Sequence, residues 1–382
     1  MKRDGLYPTV QVERALLVGV ESKEGKGNWS IEDSLDELEQ LARTAGAEVV
    51  GRVIQRLPRP SSKHYVGSGK LEEIAQLKYQ LGYTMVICDD ELTPVQQRNL
   101  EEALKVKVID RTILILDIFA RHARTKEGKL QVELAQYQYL MPRLIGMWKH
   151  LERLGGGIGT RGPGESQLET DRRLIKEKLH RLREELEEVR RHRELHRIKR
   201  RKGGIPVVSI VGYTNAGKST LFNALCKAQV KVEDKLFATL DPTTRRLTLP
   251  GGRLTLLTDT VGFIHKLPPT LVAAFRATLE ELEEASLLLH VVDITQRNAR
   301  EQCLTVENIL SELGLSAKPR ILVFNKIDLL PSGQSLKSNT PDTVFISASK
   351  GWGLNNLLSL IERKLEALDY VKPPSGGLVR TI

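Results

Sequence analysis

The sequence predicts an α/β protein in three parts: a small parallel-sheet domain, an antiparallel helical hairpin and a C-terminal α/β domain with a phosphate-binding loop. Three observations support this prediction. Strand-like apolar runs alternate with helical patterns over the first 120 residues, and two heptad stripes of apolar residues follow. A short apolar run then leads into a glycine-rich loop that ends in Lys218 and Ser219.

Residues 1–122 are predicted to form the N-terminal α/β domain. The strand-like runs at 15–20, 49–54, 84–88 and 106–109 alternate with helical patterns at 34–45, 70–81 and 94–104. This βαβαβαβ order predicts a parallel sheet covered by helices. Thr93 and Gln96 have the spacing of a capping box at the start of the third helix. The glycines at 67 and 69 lack the spacing of a full phosphate loop, so a turn that starts a helix is favoured over a second nucleotide site.

Residues 123–202 are predicted to form a basic helical hairpin. The apolar residues lie at alternating spacings of three and four, which favours coiled-coil-like packing of two antiparallel helices. The stripes are Leu134, Tyr137, Met141, Leu144, Trp148 and Leu151, then Ile175, Leu179, Leu182, Leu186 and Val189. The segment 155–165 between them has six glycines in eleven residues and is expected not to be helical.

The glycine-rich tip of the hairpin has two interpretations. It is either a flexible connector or a functional element that threads into a narrow site with Arg161 exposed at its end. Its length favours function, because about two to five residues suffice to join antiparallel helices. The hairpin can cover its own apolar stripe, so a monomer is expected.

The net charge of the chain is concentrated in the hairpin. Residues 121–202 contain 22 Lys and Arg against 12 Asp and Glu, which equals the net charge of +10 of all 382 residues. Clustered cations of this kind point to a polyanion partner, because phosphates are bound with release of counterions. A solvated arginine-rich helix face is the alternative on charge alone.

The composition excludes several classes of protein. Hydrophobic residues make up 40% of the chain, which is enough for cored domains and excludes a disordered or fibrous protein. Cys88, Cys226 and Cys303 form no pattern of a disulfide framework or a zinc site. No apolar run approaches the roughly 20 residues needed to cross a bilayer, and no secretory signal is visible. A cytoplasmic protein is expected, with peripheral membrane association left open.

The strand-like run 207–211 is followed by a complete phosphate-loop motif in the required strand, loop and helix context. Its backbone N–H groups and the helix N-terminus are suited to bind phosphates. Lys218 is expected to reach the β- and γ-phosphates, and Ser219 to hold Mg²⁺ through its hydroxyl group. The motif and the next residue are Gly212, Tyr213, Thr214, Asn215, Ala216, Gly217, Lys218, Ser219 and Thr220.

A phosphate loop alone fits an ATPase, a kinase or a GTPase, and a second motif discriminates among them. Asn325, Lys326, Ile327 and Asp328 follow the apolar run 320–324. The Asp328 carboxylate can accept hydrogen bonds from N1–H and N2–H₂ of guanine, a donor pair that adenine lacks. Lys326 is expected to pack along the nucleotide, and Asn325 to tie this loop to the phosphate loop.

Three further segments follow the order expected of a GTP-hydrolysing site. Asp259 is expected to bind Mg²⁺ through water, and the Gly262 N–H to lie beside the γ-phosphate. Thr239 lies in a loop that is expected to become ordered when the third phosphate is present, and it is a candidate Mg²⁺ ligand. Lys218, Thr239 and Gly262 are the candidate catalytic residues. The backbone of 347–349 can offer N–H to guanine O6. The segments are Phe237, Ala238, Thr239, Leu240 and Asp241; Asp259, Thr260, Val261 and Gly262; and Ser347, Ala348 and Ser349.

Together these motifs resemble those of the translation-factor-related GTPases, and further stretches are similar to hallmarks of the HflX family in the Obg-HflX superfamily. These stretches are 66–70, 91–100, 155–165, 169–173 and 237–241. The resemblance implies a ribosome-associated, Mg²⁺-dependent P-loop GTPase that hydrolyses GTP to GDP and phosphate. Residues 203–368 would form the GTPase domain and 369–382 a short C-terminal tail. The N-terminal domain and the hairpin would contact ribosomal RNA of the large (50S) subunit.

Two positions bear on the rate of hydrolysis. Phe263 follows Gly262 where many GTPases have a Gln that positions the attacking water, and a phenyl ring has no hydrogen-bonding group. Slow intrinsic hydrolysis is therefore expected, with stimulation by ribosomes or large subunits. Asn215 resembles the equivalent residue of GTPases that use a K⁺ ion near the phosphates, so K⁺ is a candidate cofactor.

Two alternatives stand beside a nucleotide-dependent switch. One is an RNA-binding or chaperone module whose hairpin binds ribosomal RNA whichever nucleotide is present. The other is a signalling GTPase that regulates a protease or a membrane complex, for which the sequence has no distinctive feature. Whether the switch serves splitting of stalled ribosomes, release from hibernation or subunit maturation is left open by the sequence.

Overall fold

The computed structural model describes residues 12–22, 29–154, 163–202, 204–226, 236–237, 239–268, 271, 281–331 and 340–371. The central part of the predicted hairpin tip, 155–162, lies outside these residues, as do Ala238 and 372–382 of the predicted tail. The described residues form two compact units. One consists of those within 12–121 and 133–181, and the other of those within 122–132 and 182–371.

The first unit is built on a four-stranded parallel sheet with strand order β2-β1-β3-β4. All four residues of β3 are buried, as expected of a parallel strand covered on both faces. The strands are β1 (Arg14–Ser22), β2 (Glu48–Leu57), β3 (Met85–Cys88) and β4 (Lys107–Asp110). The helices are α1 (Ile31–Thr44), α2 (Ser68–Leu81), α3 (Pro94–Leu104) and α4 (Arg111–His122). The predicted parallel sheet with covering helices is confirmed.

Helix starts in this unit follow local sequence signals. Thr93 and Gln96 form the predicted capping box at the start of α3, so this prediction is confirmed. Gly67 precedes α2, and its N–H donates to Gln55 Oε1 at 2.8 Å, as in a turn that starts a helix. The sequence did not predict α4, because its first turns are apolar on most sides and lack a clear helical period.

A buried ion cluster joins the carboxyl end of the sheet to α1 and α4. Arg111 is 1% exposed, and its guanidinium pairs with the carboxylates of Glu37 and Asp89. The same guanidinium donates to the Ser34 carbonyl oxygen at 2.9 Å. Both carboxylates are also buried, and they share this one guanidinium as their counterion. Removing the guanidinium would leave two buried negative charges without a partner cation.

Replacing Arg111 with Met is expected to destabilise the first unit by about 3–5 kcal/mol, because two buried carboxylates lose their counterion. Hydrogen exchange of the β1 and β3 amides across a urea series measures the loss. The matched control is Arg121→Met, since Arg121 pairs with Asp117 at the surface and such a pair contributes about 1 kcal/mol or less. Equal losses of unfolding free energy in the two variants would show that the buried ion cluster does not stabilise the first unit more than a surface ion pair does.

Two long helices, α5 (Lys126–Leu154) and α6 (Pro163–Lys202), pass through both units. In the first unit Lys178 of α6 pairs with Glu133 of α5 at 2.8 Å. In the second unit Arg193 of α6 pairs with Glu127 of α5 at 2.7 Å. The order of these pairs is that of an antiparallel hairpin. The prediction that 155–165 is not helical is wrong at its end, because α6 begins at Pro163, a residue type that suits the first helical turn.

The second unit contains a six-stranded sheet in the order β10-β9-β8-β5-β7-β6. Only β6 is antiparallel, paired with β7. The strands are β5 (Val207–Gly212), β6 (Thr243–Thr248), β7 (Leu254–Asp259), β8 (Leu287–Asp293), β9 (Arg320–Asn325) and β10 (Thr343–Phe345). The helices are α7 (Lys218–Cys226), α8 (Ala299–Glu312) and α9 (Leu354–Val371), with a 3-10 turn at Ile327–Leu329.

The sequence missed three elements of the second unit: β6, β8 and α8. Strand β6 begins at Thr243, two residues after the predicted loop segment 237–241. That strand contains exposed arginines at 245 and 246 and lies at the sheet edge, so it lacks the continuous apolar run of a buried strand. Over the described residues, we find no helix with the length and apolar character needed to span a membrane.

Candidate functional site

The predicted phosphate loop connects β5 to α7 at the carboxyl edge of the second sheet, where ligands bind in open α/β sheets. Two of its glycines have no room for a side chain. A Cβ atom at Gly212 would collide with the backbone of Val291, and one at Gly217 would collide with the Asn325 amide. Both glycines also have positive φ angles, +152° and +91°, which favours glycine. The loop is therefore shaped by its neighbours as well as by its own sequence.

Three oxygen ligands of the kind that Mg²⁺ prefers converge beside this loop. The Ser219 hydroxyl donates to Asp259 Oδ2 at 2.7 Å and shares a hydrogen bond of 2.8 Å with the Thr239 hydroxyl. Thr239 also donates to the same carboxylate oxygen at 3.2 Å. The second oxygen, Asp259 Oδ1, is buried and has no hydrogen-bond partner among the described residues. Two hydroxyls and a carboxylate with a spare buried oxygen fit a hard divalent cation.

Burial shifts the pKa values of two charged groups at this site. It raises the pKa of Asp259, although hydrogen bonds from Ser219 and Thr239 and the charge of Lys218 act in the opposite direction. Burial also lowers the pKa of Lys218 to about 8, against the opposing effect of Asp259. Lys218 Nζ donates to the Tyr213 carbonyl oxygen at 2.7 Å. The ammonium group thus lies inside the loop that is predicted to surround the phosphates.

The segment after β7 is bonded to the phosphate loop. The Phe263 N–H donates to the Gly212 carbonyl oxygen at 3.1 Å, and the Thr214 N–H donates to the Phe263 carbonyl oxygen at 2.7 Å. A Cβ atom at Gly262 would lie 2.8 Å from Thr214 Cα and 2.9 Å from Lys218 Nζ. Glycine is required at this close approach. The Phe263 side chain is buried, so it cannot orient a water molecule.

Asn325 links three loops of the site. Its side-chain N–H₂ donates to the Ala216 carbonyl oxygen at 2.9 Å, in the phosphate loop. Its side-chain oxygen accepts from the Ala348 N–H at 3.0 Å, in the segment 347–349. The predicted contact between Asn325 and the phosphate loop is therefore present in the structure.

Asp328 presents an acceptor that the described residues do not satisfy. Its Oδ1 atom is buried and has no hydrogen-bond partner among them, while Oδ2 accepts a long hydrogen bond of 3.4 Å from the Ser349 hydroxyl. Lys326, two residues before Asp328, has a left-handed conformation with φ +66°. This turn brings Asp328 to the same sheet edge as Ser347, Ala348 and Ser349, as the sequence predicted.

Asp293 is a residue of this site that the sequence reasoning missed. It ends β8, is 2% exposed and pairs with Lys326 Nζ at 2.7 Å. Burial acts to raise the pKa of Asp293, but the Lys326 ammonium and the hydrogen bonds from Thr295 outweigh it and hold the pKa below the usual value. The available signal was the position of Asp293 at the end of the mostly apolar run 287–292, which places its carboxylate at the ligand-binding edge.

The other predicted residues occupy varied places. The Thr260 hydroxyl donates to the Ile210 carbonyl oxygen at 2.6 Å, inside the sheet edge. The Phe237 N–H donates to the Thr214 hydroxyl at 3.1 Å, and Leu240 is buried. Asp241 belongs to the predicted segment 237–241, and its carboxylate accepts hydrogen bonds from the start of α5. Asn215 is exposed at the turn of the phosphate loop with φ +58°.

Comparisons with known proteins identify three consecutive matches to families. Residues 32–120 match the family described as GTP-binding GTPase N-terminal, and residues 122–200 match GTP-binding GTPase Middle Region. Residues 207–326 match the family described as 50S ribosome-binding GTPase. The matched segments together cover most of the chain.

Full-length relatives are similar to the chain over nearly its whole length. GTPase HflX of Caldanaerobacter subterraneus subsp. tengcongensis is 55% identical over 92% of this chain and 81% of the relative. GTPase HflX of Escherichia coli (strain K12) is 46% identical over 97% of this chain and 88% of the relative. A solved GTP-binding protein from Sulfolobus solfataricus in complex with GDP is 28% identical, with a TM-score of 0.47, over 94% of this chain and 100% of that one.

Proposed function

Because the chain belongs to the HflX family of GTPases, we propose that it is a Mg²⁺-dependent enzyme that binds the large (50S) ribosomal subunit in the cytoplasm and acts in ribosome splitting, recycling or biogenesis. The chain is a GTPase, and its nucleotides are GTP and GDP. The matched family description, 50S ribosome-binding GTPase, supports the choice of partner.

We assign the roles in hydrolysis as follows. Lys218 and the N–H groups of the phosphate loop bind the β- and γ-phosphates, and Asp328 accepts from the guanine edge. Ser219, Thr239 and Asp259 would hold Mg²⁺, which supplies neutralisation of the charge on the phosphate oxygens when it is bound. The Gly262 N–H lies beside the γ-phosphate. The phenyl ring of Phe263 cannot orient water, so intrinsic turnover would be slow and the ribosomal partner would accelerate it.

The exposed cations of α6 are the observation that carries the ribosome proposal. Eight Arg, Lys and His side chains are exposed in the described part of this helix. The helix lies in the segment that contains the charge excess of the chain. The exposed side chains are Arg172, Arg173, Lys176, His180, Arg181, Arg183, Arg190 and Arg191. An excess of exposed cations favours ribosomal RNA, because binding of its phosphates releases counterions.

Pelleting with purified large subunits tests the proposal. The chain loaded with a non-hydrolysable GTP analogue is expected to co-sediment, and the GDP form to bind at least about tenfold more weakly. Large subunits are also expected to accelerate GTP turnover. Equal pelleting in both nucleotide states would instead favour the RNA-binding module, and absence of binding in both would contradict the partner.

A charge variant identifies the surface. Replacing the four arginines at 172, 173, 181 and 183 with Gln is expected to weaken pelleting and to flatten its dependence on salt, because fewer phosphates are neutralised. The matched control replaces four exposed arginines outside α6, at 245, 246, 300 and 363, with Gln. Equal losses in the two quadruple variants would mean that net charge, rather than this part of α6, determines binding.

A further inference from the structure

The Asp241 carboxylate is bonded to the start of α5. Its Oδ2 atom accepts from the Arg124 N–H at 2.8 Å and from the Thr125 N–H at 2.9 Å. Its Oδ1 atom accepts from the Thr125 hydroxyl. All three donors precede the first residue of α5, where backbone N–H groups have no partner within the helix. The carboxylate therefore supplies acceptors for the helix start and a favourable charge beside it.

The Thr125 hydroxyl continues this contact into the helix. It accepts from the Gly128 N–H at 2.9 Å while it donates to Asp241, so Thr125 is the N-cap of α5. Gly128 also packs against the carboxylate, because a Cβ atom there would collide with Asp241 Oδ1. Glycine in a helix costs about 1 kcal/mol relative to alanine, and the contact explains its presence.

The other end of the same short segment lies in the candidate Mg²⁺ site. Thr239 contacts Ser219 and Asp259 there. Thr239 and Asp241 are two residues apart, so their Cα atoms cannot separate by more than about 7 Å. A displacement of Thr239 from the site therefore acts directly on the bonds between Asp241 and α5.

The first turn of α5 is also tied to α6. Glu127 is 6% exposed and pairs with Arg193 at 2.7 Å. Arg193 lies 3.5 Å from a Glu281 carboxylate oxygen as well. A continuous set of contacts thus leads from Thr239, through Asp241 and the first turn of α5, to α6 within the second unit.

We propose that Asp241 is a positioning residue for GTP hydrolysis: its bonds to Thr125 hold Thr239 in the site, and the same bonds report the nucleotide state to the start of α5. With GTP, Thr239 is held and Asp241 caps α5. After hydrolysis, release of Thr239 removes the cap and loosens the first helical turn. The proposal rests on the proposed role of Thr239 and is independent of any ribosomal partner.

Gly128→Ala is the most discriminating variant, because alanine favours the helix while its methyl group displaces the Asp241 carboxylate. Turnover at saturating GTP is expected to fall about 10- to 100-fold, with the affinity for GDP unchanged. Asp241→Ala is expected to do the same, and Asp241→Asn, which keeps one acceptor, to fall between it and wild type. The control Ser30→Ala removes the N-cap of α1 and is expected to leave turnover unchanged.

Hydrogen exchange of amides 125–129 tests whether Asp241 transmits the nucleotide state to the start of α5. In the wild type these amides are expected to exchange about tenfold more slowly with a GTP analogue than with GDP, and Asp241→Ala is expected to abolish this difference. Unchanged turnover in both Gly128→Ala and Asp241→Ala would overturn the positioning role. A nucleotide-dependent difference that survives in Asp241→Ala would overturn the reporting role.

The variant Thr239→Ala separates this proposal from the role assigned to Thr239. If Thr239→Ala hydrolyses GTP normally, the assignment of Thr239 is wrong, and a loss of turnover in Asp241→Ala then has another cause. If Thr239→Ala and Asp241→Ala both lose turnover, and both increase exchange at α5 with the GTP analogue relative to Ser30→Ala, the connection runs from Thr239 through Asp241 as proposed. Loss of turnover in Thr239→Ala without increased exchange at α5 would overturn the reporting role.

Discussion

Replacing Asp328 with Asn is expected to weaken GTP binding by about 10³-fold or more, because a buried polar site rejects a base whose groups it cannot pair. Asp328 Oδ1 is a buried acceptor without a partner in the described structure, and guanine offers two donors. The asparagine amide would place its own N–H₂ against the N2–H₂ of guanine. Xanthine has an oxygen at that position, so xanthosine triphosphate is expected to become the preferred substrate.

Competition binding with GTP, GDP and xanthosine triphosphate checks this exchange of specificity. Asp342→Asn serves as the matched control, because Asp342 pairs with Lys364 at 2.6 Å at the start of β10, and its loss is expected to leave base preference unchanged. An Asp328→Asn protein that still prefers GTP would show that another group selects the base.

Thr239→Ala is expected to lower the turnover number for GTP by about 10²-fold, because a group aligned with developing charge is lost. GDP affinity should remain close to that of the wild type, since this loop is expected to engage the third phosphate. The Mg²⁺ concentration needed for half-maximal turnover is expected to rise. Steady-state kinetics over a Mg²⁺ series separate the two effects.

Two comparisons make the Thr239 result specific. Thr239→Ser retains the hydroxyl and is expected to recover most of the turnover. Thr244→Ala removes a hydroxyl that shares a hydrogen bond of 2.9 Å with Thr258 in the sheet, and no change in turnover is expected. Loss of turnover in Thr244→Ala, or normal turnover in Thr239→Ala, would contradict the role given to Thr239.

The sequence predicted the site better than it predicted the elements that support it. The phosphate loop and the residues around Asp328 have fixed spacings, because their chemistry needs particular groups after particular strands. The structure brings Ser219, Thr239 and Asp259 together, as those spacings indicated. Their assignment to nucleotide and metal remains a prediction.

The missed elements differ in the signals they carry. Strand β8 is buried over all seven residues and shows no alternation of polar and apolar positions, but its mostly apolar run 287–292 is typical of a buried strand and was overlooked. Strand β6 lies at an edge with exposed arginines, and its pairing with β7 is decided by the sheet rather than by its own sequence. The bonds between Asp241 and Thr125 join residues 116 positions apart, and no periodicity in one sequence reveals such a contact.

The side-chain amide of Asn325 connects the loop predicted to bind the base with the loop predicted to bind the phosphates. Because one planar side chain bonds the backbone at Ala216 on one side and at Ala348 on the other, neither loop can relax without straining the other. We infer that binding of guanine also stabilises the phosphate loop. A nucleotide with another base would then have weaker contacts to its phosphates as well as to its base, so the protein would discriminate against it both in binding and in the positioning of its γ-phosphate for hydrolysis.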